Sequence, residues 1–103
     1  MRIKRKSLMV GVLSASLILG GAGAATAETA YPDEGGTWDY GTSGSFIWSN
    51  YLHETRSHGS SVKNCHGQLW RSPNVLAGSW SNVSTDQGCP NWGDVDYAYY
   101  RVL

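Results

Sequence analysis

The sequence predicts a small antiparallel all-β domain, two sheets packed as a β-sandwich, and three observations carry that expectation. Apolar and polar residues alternate with period two in several short runs, and no stretch shows a helical period. Glycine, proline, asparagine and serine separate those runs at turn spacing. All twelve Trp, Tyr and Phe residues lie beyond position 30, supplying interior bulk that the few Leu, Ile and Val residues there do not. An incomplete barrel fits the same pattern.

Taken in order, Arg2, Lys4, Arg5 and Lys6 precede an apolar stretch that ends in the small residues Ala25-Thr26-Ala27. This is the tripartite pattern of a secretory signal peptide, residues 1–27, and cleavage after Ala27 would leave a 76-residue product outside the cell. Glu28 to Gly36 has Pro, Gly and acids without periodicity and reads as a flexible leader, so the domain proper is 37–103. Trp38 and Tyr40 then share one face of a strand. Phe46, Trp48 and Leu52 share one face of the next, with Asn50 interrupting, and Trp48 is expected in the core. The glycine-bounded Gly41-Thr42-Ser43-Gly44 suits the hairpin turn between them. HGSSVKNC and GQLWR read as two further strands bent at Cys65-His66-Gly67, and Ser72-Pro73-Asn74 as a turn. LAGSWSNV is a fifth strand, TDQGCPNWGD a loop, and VDYAYYRVL a closing strand.

Composition bounds function. Beyond Ala27 eight acids face only Arg56, Lys63, Arg71 and Arg101, a net charge of −4. Such a domain is not drawn to nucleic acid or inserted into anionic membranes by bulk electrostatics. A product of this size is marginal on apolar burial alone. Cys65 and Cys89, its two cysteines, are expected to form one disulfide in an oxidising compartment. His53, His58 and His66 match no zinc spacing, and Asn91, Asp94 and Asp96 only echo a calcium loop, so no metal or other cofactor is expected. No serine stands in a nucleophile motif, so no enzyme is expected. Exposed rings with nearby polar groups keep a cell-surface or carbohydrate-binding module as the rival class.

EGGTWDYG (34–41), SNYLHETRSHGSSV (49–62), AGSWS (77–81) and YAYYRVL (97–103) together resemble the lactococcin 972 family of secreted bacteriocins, in order and approximate spacing. The resemblance implies two three-stranded antiparallel sheets. It also implies inhibition of Gram-positive bacteria by binding lipid II, blocking septum formation without pores, and it leaves a homodimer open. Arg56, His58 and Lys63 flank one turn, and on this reading they would face a phosphate together as ligand-binding donors.

Overall fold

The computed structural model describes residues 2–7, 25–90 and 94–103. Among them are eight strands: β1 (Arg2–Ser7), β2 (Ala25–Ala30), β3 (Thr37–Ser43), β4 (Phe46–Leu52), β5 (His58–Lys63), β6 (Leu69–Arg71), β7 (Trp80–Thr85) and β8 (Val95–Val102). They form two four-stranded sheets, ordered β1-β8-β5-β6 and β2-β3-β4-β7. Every pairing is antiparallel except β1 against β8, which is parallel. No described residue is helical.

The expected count of three strands per sheet is therefore corrected to four. The six strands read from the sequence are present, and β1 and β2 are added at the sheet edges from the segment taken for a signal peptide and leader. The central apolar run of that segment lies outside the described residues. Small and β-branched side chains let Ala25–Ala30 pair along β3, with Glu28 opposite Tyr40 and Ala30 opposite Trp38. Glu34 Oε1 accepts a 2.6 Å bond from the Tyr100 hydroxyl, and the Tyr51 hydroxyl donates to Gly35 O. Burial first, and then the charge of Glu34, push the Tyr51 pKa up to about 12.

The hairpin turn falls later than its glycines suggested. Ser43 pairs with Phe46, so the loop is the two residues Gly44-Ser45, and Gly44 supplies the positive φ of 58° that a tight hairpin needs. Strand β3 runs on through Gly41 and Thr42.

The sheets face each other across an aromatic and unusually polar interior. Trp38, Tyr40, Tyr51, Ala98, Tyr100 and Val102 form the buried cluster, with Trp38 stacked on Tyr40 at 4.3 Å and Tyr100 meeting Trp38 edge-on at 4.9 Å. Serines fill the remaining inward positions because large rings leave room only for small side chains, and each hydroxyl must then find a partner. Ser49 Oγ accepts from Trp38 Nε1 and donates to Tyr99 O on the other sheet, both at 2.9 Å. Ser60 Oγ donates to Ser81 O at 3.1 Å, stitching the sheets a second time.

The expected disulfide is present: Cys65 and Cys89, with Cα atoms 6.0 Å apart, join the β5–β6 turn to the loop after β7. The buried Asn64 organises that turn, accepting from His66 N and Gln68 N and donating to Gln87 O. Both oxygens of the buried Asp96 accept from Cys89 N at 3.2 Å. Burial nevertheless dominates over those bonds and raises the Asp96 pKa above the ordinary carboxylate value.

Candidate functional site

The three donors nominated from the sequence do not converge. Arg56 is exposed, and its Nε and one terminal nitrogen donate to Leu103 O at 2.9 and 2.6 Å. His58 is fully buried, with Nδ1 2.8 Å from Arg56 O and Nε2 2.6 Å from Ser79 O, so both ring nitrogens face backbone carbonyls. Lys63 lies five residues further along β5, about 17 Å away by strand rise, and the odd separation puts it on the opposite face of the sheet. The turn over 54–57 is braced by His53. His53 Nδ1 accepts from Thr55 N and Arg56 N, which leaves Nε2 as the donor to Glu34 O at 2.9 Å.

The same bonds bear on metal binding. The rings of His53 and His58 are 6.2 Å apart, but all four nitrogens are spent on backbone groups. Among the described residues the one three-member group of suitable side chains is Cys65, His66 and Cys89, and the disulfide takes two of them.

What the fold assembles is two decorated outer faces. On β4 the inward residues are Ile47, Ser49 and Tyr51, all fully buried, so Phe46, Trp48, Asn50 and Leu52 point outward. The expectation that Trp48 lies in the core is thereby reversed. Register decides it: Tyr51 pairs with Trp38 and Ser49 with Tyr40, and those two rings are committed to the interior. Asn50 carried the signal, since a carboxamide on the inner face would need a buried partner.

This outer face is aromatic at both ends and amide-lined between. Phe46 and Trp48 stand 5.7 Å apart at one end. Leu52 pairs with the exposed Trp80 at the other, four residues along, or about 13 Å. Between them Asn50 pairs with Asn82 on β7 and with Asp39 on β3. Trp48 is pressed against the backbone of Gly41, where an added Cβ would come within 2.3 Å of its Cζ2; only glycine lets the indole settle there. A shallow depression of about 410 Å³ is lined by Phe46, Trp48, Asn50, Asn82, Val83 and Ser84.

The outer face of the other sheet differs in charge. Lys63 Nζ sits 5.1 Å from the Tyr97 ring centroid and 5.8 Å from that of Tyr99, two rings that are themselves stacked. Arg71 pairs with Ser61 on the same face. Arg101 lies across Gly59 and donates to Asn74 Oδ1 at 2.8 Å, Ser60 O at 3.2 Å, Ser72 O at 2.6 Å and Ser61 Oγ at 3.4 Å. Burial, and then the neighbouring Arg71, lower its pKa from the ordinary guanidinium value. Strands β5, β6 and β8 place no carboxylate on this face.

No curated protein and no solved structure matches the chain. A family model described as bacteriocin, lactococcin 972, matches residues 34–100, which takes in every strand from β3 to β7 and β8 as far as Tyr100. The chain therefore belongs to the lactococcin 972 family of bacteriocins.

Proposed function

We propose that this is a secreted, non-enzymatic antibacterial protein that binds lipid II or a related cell-wall precursor of Gram-positive bacteria and blocks wall and septum synthesis without inserting into the membrane. The family match carries the reading. The signal pattern of residues 1–27 supports export, and its removal would take away β1 and half of β2 while leaving the strands from β3 onward covalently intact. A net-negative domain needs a local cationic patch to hold a pyrophosphate. Of the three residues first nominated, Lys63 keeps that role, and Arg71 replaces Arg56 and His58 beside it.

The experiment is growth inhibition of Gram-positive indicator strains with purified lipid II as competitor. Added lipid II is expected to relieve inhibition. Exchanging Lys63 and Arg71 together for Gln removes two charge-assisted contacts and is expected to lower activity by more than about tenfold. The melting temperature should barely move, because solvent-facing charges contribute little to folding. Inhibition untouched by lipid II, or a double variant as active as the parent, contradicts the reading.

A further inference from the structure

We infer that the outer face of the β2-β3-β4-β7 sheet is a saccharide-binding platform, taking the pyranose rings of an uncharged or N-acetylated hexose chain against Trp48 and Phe46 and their hydroxyl or acetamido rims against Asn50, Asn82 and Asp39. The inference stands apart from lipid II recognition by the cationic face, although a wall glycan would connect the two.

Hydropathy marks Phe46, Trp48 and Leu52 as the side of β4 to bury, yet the chain buries the side carrying Ser49 and leaves these three on the outside. Phe46 and Trp80 are 43% and 45% exposed, and an apolar face left open this way marks an interaction surface. The polar groups decide the class of ligand. A fatty chain laid from Phe46 to Trp80 would cover Asn50 and Asn82 without hydrogen-bonding them, at a desolvation cost. A phosphate or nucleic-acid backbone finds no cation here: Asp39 is the one ionisable residue that the register of β3, β4 and β7 sets on this face. A pyranose answers both demands. Its C–H faces are apolar and weakly positive, which suits the negative face of an aromatic ring, and its rim both donates and accepts, as carboxamides do. Few polar groups among apolar lining is the usual make-up of such sites. The about 13 Å between the aromatic ends leaves room for more than one ring.

Isothermal titration of the purified protein with a β-1,4-linked N-acetylglucosamine tetramer and a glucose tetramer tests this. Binding of either is expected, and a preference for the first would assign the platform to amino-sugar glycans, equal affinity to pyranose chains in general. Trp48→Ala is expected to weaken binding by roughly tenfold or more, and Asn82→Ala by several-fold, with melting curves like the parent's. Should Trp48→Ala not fold, Phe46→Ala and Asn82→Ala, both at exposed positions, decide the matter. No heat with either oligosaccharide, or affinity unchanged in the folded variants, overturns the proposal. Growth inhibition is scored separately: saccharide binding without killing leaves the platform standing and removes only the antibacterial reading, whereas killing without saccharide binding removes the platform alone.

Discussion

Replacing Trp38 by alanine is expected to remove about half or more of the protein's stability. Trp38 is 1% exposed, stacks on Tyr40, meets Tyr100 edge-on, and donates from Nε1 to Ser49 Oγ. Truncation removes a large ring and leaves a cavity, which costs about 3 to 5 kcal/mol. It also takes one bond from a buried hydroxyl that spans the sheets, leaving Ser49 with Tyr99 O alone. A domain this small has on the order of 4 to 10 kcal/mol in all. Urea titration followed by near-ultraviolet dichroism measures the loss. Trp38→Phe keeps an aromatic ring at the site and should cost less, its remaining loss combining the smaller ring with the missing indole hydrogen bond. A Trp38→Ala midpoint equal to that of the parent would mean that the cluster around Trp38 does not hold the sheets together.

The second large effect is loss of the disulfide. Cys65 and Cys89 are 24 residues apart, and the chain-entropy relation gives about 3.5 kcal/mol for a loop of that length. In a small domain this corresponds to a fall in melting temperature on the order of 15 to 25 °C. Cys65→Ser with Cys89→Ser should therefore melt far below the parent yet recover its β-type spectrum in the cold. Asn64 still ties the turn to Gln87, and Cys89 N, a backbone group, still donates to Asp96. An unchanged melting temperature would show that the cross-link does not constrain the unfolded chain.

Much of this fold was legible because period-two alternation and turn residues are local signals. The hairpin of β3 and β4, the short β6 and the closing β8 follow from them. What local signals cannot supply is which face of a strand meets the other sheet. On β4 the more apolar face is outside, and only pairing with Trp38 and Tyr40 reveals it. The nominated donors do not come together for a similar reason. Arg56, His58 and Lys63 are near in sequence, but strand geometry sends His58 inward and Lys63 outward at the far end. Arg71 and Asn82 could not have been joined to Lys63 and Asn50 without knowing that β6 lies beside β5 and β7 beside β4. The edge strands β1 and β2 escaped for want of large apolar residues, since backbone pairing alone recommends ATAETA as a strand.

Recognition is proposed to sit on the outer sheet faces rather than at the turn between β4 and β5. Backbone amide chemical shifts of the isotope-labelled protein, followed as purified lipid II is added, test it most directly. Shifts are expected to concentrate on β5, β6 and β8 around Lys63, Arg71 and Tyr97, with those of Thr55, Arg56 and Ser57 unmoved. Shifts confined to Thr55–Ser57, or none at all at saturating lipid II, would contradict it.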